Sequence, residues 1–186
     1  LLQNSRRPLL YTGGGVIAAE ASLELAEFAK RLQAPVSSSL MCQGGFDQHN
    51  PYYIGMLGMH GTKVSSQAIA ECDLLVAVGT RFSDRVTCNT DLFARHCPIL
   101  QIDIDPKEFA KNVHCEVELL GDVREILSLL NANLPPQEHT EWMDRVLGWE
   151  AAYPLRQMES SGGVTPQLIL QTLDELTQSS AVLTTE

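Results

Sequence analysis

Apolar and polar residues along this chain fall into short blocks with two different periods. Leu9-Leu10-Tyr11-Thr12 is a brief apolar run that ends in Gly13-Gly14-Gly15, and beyond it Ala18, Ala21, Leu25, Ala29 and Leu32 recur at helical spacing. The pattern predicts a strand, a tight turn and one helix over 17–32. Pro35 to Leu40 predicts a second strand, poor in β-formers but placed where a repeating strand–helix unit needs one. A helix is expected from Thr62 to about Cys72. It is followed by Leu74-Leu75-Val76-Ala77-Val78-Gly79, which is apolar on both faces, as a parallel strand covered by helices must be. Ile99 to Asp103 and Cys115 to Leu119 predict further strands, and Asp122 is placed to cap a helix through Ile126, Leu127, Leu129 and Leu130. This alternation predicts an α/β fold with a doubly wound parallel sheet of about five or six strands.

Pro135-Pro136 closes that unit. Two helical patterns follow, one carrying Trp142, Val146 and Trp149, the other opening with Thr165 as cap and Pro166 in the first turn and running through Leu168, Ile169, Leu173 and Leu176. The two tryptophans share a helix face and are expected to be packing anchors. Ser160-Ser161-Gly162-Gly163 reads as a linker, and Ala181 to Glu186 as a strand at which a further domain breaks off. The expected division is therefore 1–135, a helical extension and linker over 136–163, and the start of another domain over 164–186.

Composition narrows the partners. The chain has 186 residues, 44% of them apolar, which is enough for one α/β core with an appendage. A net charge of −10 without a basic run argues against nucleic acid or an anionic membrane and for a small ligand. The five cysteines, Cys42, Cys72, Cys88, Cys97 and Cys115, are odd in number and contain no Cys-x-x-Cys pair, so they read as reduced thiols of a cytoplasmic protein. No apolar run approaches about 18 residues. The first residue is not Met, which fits an excised piece of a longer protein. His49, His96, His114 and His139 lack metal-ligand spacing, and His114-Cys115 with Cys97 is too sparse for zinc, so no metal site is expected.

Four segments carry candidate chemistry. Gly55-Met56-Leu57-Gly58-Met59-His60-Gly61-Thr62 is a nearly uncharged stretch read as a loop, with three glycines that let main chain approach a flat ligand and methionines that mould to apolar shapes. His60 is a candidate ligand contact, with no nucleophile beside it to suggest a catalytic base. Gly13-x-Gly15-x-x-Ala18 fits the dinucleotide fingerprint, and its glycines either cradle a ligand or merely make the turn. The acidic residue an NAD site needs after the second strand is missing, since Ser37-Ser38-Ser39-Leu40 stands there. Gly79-Thr80-Arg81-Phe82-Ser83-Asp84-Arg85 follows the strongest strand, where Arg81 and Arg85 suit a diphosphate or a ring carbonyl and Asp84 is placed to orient one of them. The bland reading is a surface Arg–Asp pair. Asp103 suits a ribose hydroxyl, Asp105 before Pro106 a turn, and Asp122 a helix cap more than a ligand contact.

Taken in order over roughly residues 4 to 133, Gly13-Gly14-Gly15, Ser39-Leu40-Met41, the Gly55 to Thr62 segment, Gly79 to Arg85 and Asp103-Ile104-Asp105 closely resemble the central domain of acetolactate synthase (acetohydroxyacid synthase) large subunits. The one departure is Ser83, where that family usually has Asp. The resemblance implies the Rossmann-like, DHS-like NAD/FAD-binding fold of thiamine-diphosphate enzymes. It also implies an FAD lying extended against this domain, its redox chemistry unused. By position it implies FAD contacts from Gly13, Gly14, Gly15, Ser39, Leu40, Met41, Leu57, Gly58, Met59, His60, Gly79, Thr80, Arg81, Asp84, Arg85, Asp103, Ile104, Asp122 and Val123.

The whole enzyme, by the same resemblance, is a transferase of branched-chain amino-acid biosynthesis. It would use thiamine diphosphate and Mg²⁺ to decarboxylate one pyruvate and join the two-carbon remainder to pyruvate or 2-oxobutyrate. It would be a homo-oligomer, with room for a regulatory subunit. The thiamine-activating Glu would lie before Leu1 and the Gly-Asp-Gly metal motif after Glu186, where the truncated thiamine-diphosphate domain would continue. Gly121-Asp122-Val123 lacks the second Gly, so this chain by itself is expected to be inert. Glyoxylate carboligase and sulfoacetaldehyde acetyltransferase share the fold and cofactors. An electron-transfer flavoprotein would use a similar FAD domain without thiamine.

Overall fold

The computed structural model describes residues 1–155 and 163–184. The chain divides into two compact units, Leu1–Tyr153 and Pro154–Glu186. In the first, six strands form a single parallel sheet: β1 (Pro8–Thr12), β2 (Val36–Ser38), β3 (Tyr53–Met56), β4 (Leu74–Val78), β5 (Ile99–Asp103) and β6 (Val117–Leu120). Their order across the sheet is β3-β2-β1-β4-β5-β6, so the chain winds outward in one direction from β1 and then, through β4, in the other. β1 and β4 lie side by side along their whole length, Pro8 opposite Leu74 and Thr12 opposite Val78. Every residue of β1, β4 and β5 is buried, as strands with helices on both faces require.

The helices are α1 (Gly14–Ala18), α2 (Ser22–Leu32), α3 (Lys63–Glu71), α4 (Asp84–Thr87), α5 (Val123–Asn133), α6 (Thr140–Ala152) and, in the second unit, α7 (Pro166–Thr177). Alternate strand residues feed two cores. Leu10, Val36, Val76, Val78, Leu100 and Ile102 pack with Leu25, Phe28 and Leu32 of α2 and Leu127 of α5. Leu9, Tyr11, Leu75, Ala77 and Ile99 pack on the other face with Val64 and Ala68 of α3 and Trp142 and Val146 of α6. Each buried Leu or Val contributes roughly 1.5–3 kcal/mol, so both layers are held mainly by apolar burial.

Four expectations are revised. The single helix over 17–32 is two helices. Glu20 takes φ 51°, and the bonds Glu20 N–H to the Ile17 carbonyl and Ala21 N–H to the Val16 carbonyl close α1 before Ala21 opens α2. Periodicity carries across this break because buried Ala21 continues the same apolar face. The segment opening at Gly55 is not all loop, since Gly55 and Met56 belong to edge strand β3, which Gly55 at φ 96° disguised. The sixth strand begins at Val117, two residues later than expected. Residues 181–184 form no strand, and the expected linker at 160–163 lies, apart from Gly163, outside the described residues. Thr165 and Pro166 open α7 as expected, the Thr165 hydroxyl accepting from the Leu168 N–H.

The expected extension beyond residue 135 is, as far as Tyr153, packed into the first unit. Trp142 is buried, its indole N–H donates to the Pro8 carbonyl at 2.9 Å, and its ring meets Trp149 edge to face at 5.7 Å. His139 is buried beside it, with its ring nitrogens 2.7 Å from the Leu32 carbonyl and 3.0 Å from the Ser5 carbonyl.

Candidate functional site

The strand order reverses between β1 and β4, and the chain leaves their carboxyl ends in diverging directions, which opens a crevice. The turns on its two walls touch backbone to backbone. A Cβ on Gly13 would lie 2.2 Å from the Gly79 carbonyl oxygen, and one on Gly15 would lie 2.7 Å from the Gly79 Cα, so neither position admits a side chain. Gly79 itself has φ 57°. Gly13 N–H donates to the Val78 carbonyl and Gly15 N–H to the Gly79 carbonyl. A Cβ on Gly14, in contrast, would reach nothing nearer than Met41 at 3.4 Å.

The loop after β4 is fixed through its carbonyls. Buried Gln101 donates from Nε2 to the Thr80 carbonyl while its Oε1 accepts from the Cys115 thiol at 3.1 Å. Burial pushes that thiol up to about 11, so it stays a donor. Asn112 donates to the Arg81 and Phe82 carbonyls. Phe82, at φ 50°, is buried against Tyr11 and Phe93. With its main chain held, the loop presents the Arg81 and Ser83 side chains outward, both exposed.

These walls enclose a cavity of about 470 Å³ lined by Tyr11, Gly13, Gly14, Gly15, Ser39, Met41, Gly79, Thr80, Arg81, Ser83, Asp103, Asp105 and Glu108. Its charges are one cation, Arg81, and three carboxylates. Asp103 accepts from the Asp105 N–H, and Asp105 from the Lys107 N–H, so both also shape the turn. Glu108 pairs with Lys111 through Oε1, while its buried Oε2 has no partner. Burial pushes the Tyr11 phenol above its ordinary range, against the pull of a hydrogen bond from Thr80.

Nine of the residues expected at a ligand gather here: Gly13, Gly14, Gly15, Ser39, Met41, Gly79, Thr80, Arg81 and Asp103. The others do not line this cavity. Leu40 and Ile104 are exposed, Asp122 caps α5 through the Arg124 and Glu125 N–H groups, and Val123 is buried in the core. Asp84 orients neither arginine. It accepts from the Arg85 backbone N–H, and neither Arg81 nor Arg85 is in an ion pair among the described residues.

Leu57, Gly58, Met59 and His60 form a compact loop whose glycines serve close contacts within the protein. A Cβ on Gly61 would meet the Met56 carbonyl at 2.4 Å, and one on Gly58 the Arg85 carbonyl at 2.7 Å, to which the Met59 N–H donates. Leu57 is buried, whereas Met59 and His60 remain exposed.

Sequence reasoning missed Tyr11, Ser83 and Glu108, and it read Asp105 as a turn residue only. Tyr11 lies in an apolar strand without a local signal, and Glu108 reaches the cavity only because of the turn at Pro106. It also missed that Cys72, His96 and Cys97 converge at the opposite end of the sheet, with ligand atoms within 4.8 Å of one another. Among the described residues no helix is long and apolar enough to cross a membrane.

Residues 1–130 match the family described as thiamine pyrophosphate enzyme, central domain. The chain is 40% identical over 186 residues to the acetolactate synthase large subunit of Pyropia yezoensis, an alignment covering 97% of this chain and 32% of that protein. It is 40% identical over 189 residues to the corresponding subunit of Parasynechococcus marenigrum (strain WH8102), covering 99% and 30%. It is 39% identical over 189 residues to the acetolactate synthase of Mycobacterium leprae (strain TN), covering 98% and 30%. The chain thus spans about a third of the length of the curated relatives it matches. With its parallel six-stranded sheet and a crevice at the point where the strand order reverses, the chain belongs to the thiamine pyrophosphate enzymes, as their central domain.

Proposed function

We propose that this chain is the FAD-holding central domain of an acetolactate synthase catalytic subunit. The observation that carries the reading is the crevice between β1 and β4, where unpaired Arg81 faces a cavity that also holds Asp103 and the unpartnered Glu108 Oε2. Those groups suit the parts of a flavin dinucleotide. A guanidinium suits its diphosphate, carboxylate oxygens accept from ribose hydroxyls, and Gly14 offers main chain to which a ligand comes close. Ser39 and Met41 close the rim from the β2 side. The absence of an acidic residue at the end of β2, where Ser37 and Ser38 are spent on hydroxyl contacts with Ser65 and Tyr53, argues against an NAD site of the usual kind.

In the whole enzyme, thiamine diphosphate and Mg²⁺ supply the carbon–carbon chemistry that removes CO₂ from pyruvate and joins the remainder to pyruvate or 2-oxobutyrate. The residues of this domain bind and position the flavin and do not touch the reacting carbons. The proposal extends to domain organisation, with the thiamine-diphosphate domain starting from about Val164. The relatives' names favour acetolactate synthase over its sister carboligases. A Gly-Asp-Gly motif encoded shortly after Glu186 would separate all of these from an electron-transfer flavoprotein.

The test is retention of flavin absorbance after FAD incubation and gel filtration, on the full-length protein and on the chain alone. Binding that weakens in Arg81→Ala is expected. A full-length protein that takes up no FAD ends the flavin reading, and acetolactate formed by the chain alone ends the assignment of catalysis to other domains.

A further inference from the structure

At the amino end of the sheet, the segments that enter β4 and β5 each bring a thiol to the same place. Cys72 closes α3 before β4, and Cys97 precedes Pro98 and β5. Their Sγ atoms are 3.6 Å apart, and a ring nitrogen of the adjacent His96 joins them so that all three donor atoms lie within 4.8 Å of one another. Two thiolates sharing a tetrahedral zinc ion with bonds of about 2.3 Å stand about 3.8 Å apart, whereas a disulfide draws them to about 2.0 Å. The observed spacing is that of two hydrogen-bonded thiols, within about 0.2 Å of what shared ligation requires and far from a disulfide. Both sulfurs are buried, while His96 is exposed and lines, with Arg95, Cys97, His114 and Glu116, an open cavity of about 390 Å³.

The shared hydrogen bond holds Cys97 below an ordinary thiol and, together with burial, pushes Cys72 well above one. The negative charge of neighbouring Asp73 raises both.

We propose that Cys72, Cys97 and His96 form a three-ligand binding site for a soft divalent cation, zinc by its donor set, with the fourth position open to the cavity beside His114. The site staples the end of α3 to the entry of β5, so it stabilises the sheet from the end opposite the cofactor crevice and is independent of flavin.

The test is titration of the reduced, metal-free chain with Co²⁺ and then Zn²⁺. One equivalent of Co²⁺ should produce thiolate-to-cobalt charge-transfer absorption and the intense visible bands of four-coordinate cobalt, both erased by Zn²⁺. Cys97→Ser should abolish the charge-transfer band, His96→Ala should weaken binding at least about tenfold, and Cys88→Ser should change nothing. Because a buried Cys variant can fail to fold, alkylation of the wild type is read in parallel. Zn²⁺ should protect Cys72 and Cys97 while exposed Cys88 continues to react. The proposal is overturned if no cobalt band forms, if the band survives Cys97→Ser, or if Zn²⁺ leaves alkylation of Cys72 and Cys97 unchanged. It is equally overturned if the pair oxidises to a disulfide and, once reduced again, takes up no cobalt.

Discussion

The two ends of the β-sheet solve opposite problems. At the amino end, the polar groups of Asp73, His139 and Trp142 are consumed by the protein itself. Asp73 accepts from the Ser5 hydroxyl and from the Arg6 and Arg7 N–H groups, His139 sits between the Leu32 and Ser5 carbonyls, and the Trp142 N–H reaches Pro8. Burial would raise the Asp73 carboxyl, but these donors hold it below its ordinary value. At the carboxyl end, the main chain is fixed just as firmly by Gly13, Gly15, Gln101 and Asn112, yet Arg81 and Glu108 Oε2 are left without partners. Both ends are thus held firmly, but at the carboxyl end the unpaired groups line a crevice, whereas the buried anchors Asp73 and Trp142 at the amino end are satisfied within the protein.

The comparison is broken most strongly by removing an anchor at the amino end. Trp142→Ala should cost about 3–5 kcal/mol, read as a fall in the denaturant midpoint, with residual folded protein still able to take up flavin. An unchanged midpoint would remove α6 from the first unit. Next, Gly13→Ala should cost about 3 kcal/mol, because its Cβ meets backbone that cannot yield, while Gly14→Ala stays within about 1 kcal/mol. Equal effects at the two positions would mean that the glycines serve the ligand rather than the approach of the two turns.

Smaller effects sharpen the contrast. Asp73→Asn should lower stability by about 1–2 kcal/mol through loss of charge-assisted bonds, and leave flavin affinity unchanged. Arg81→Ala should do the reverse, shifting stability by less than about 0.5 kcal/mol while weakening flavin binding about tenfold, measured by titration of flavin fluorescence. Should Arg81→Ala instead unfold the chain, its exposed guanidinium would have to be a structural tie.

Much of this was legible in the sequence, and for identifiable reasons. Leu74 to Val78 announces a doubly covered strand by being apolar at every position, and Asp122 and Thr165 announce helix starts because capping is a contact within three residues. Gly13 to Gly15, Gly79 to Arg81 and Asp103 could be placed at the strand ends where parallel sheets bind ligands. The break at Glu20 and strand β3 stayed hidden. An αL closure without glycine leaves no local mark, and a strand with Gly55 at its centre resembles a loop.

What the sequence by itself determined is therefore most of what contacts among near neighbours set, the periods, the caps and the alternation of strands and helices, with the closure at Glu20 and strand β3 as the exceptions. Only the tertiary structure decided which glycines face backbone and which face open space. Gly13 and Gly15 are excluded from bearing side chains by Gly79, more than sixty residues away, and Gly58 by Arg85. Tyr11 and Glu108 were likewise brought to the crevice, and Cys72 and Cys97 to one another, by the packing of strands distant in sequence. Steric exclusion, unpaired charge and the meeting of two thiols are properties of atoms a few ångströms apart, and the chain brings such atoms together only by folding.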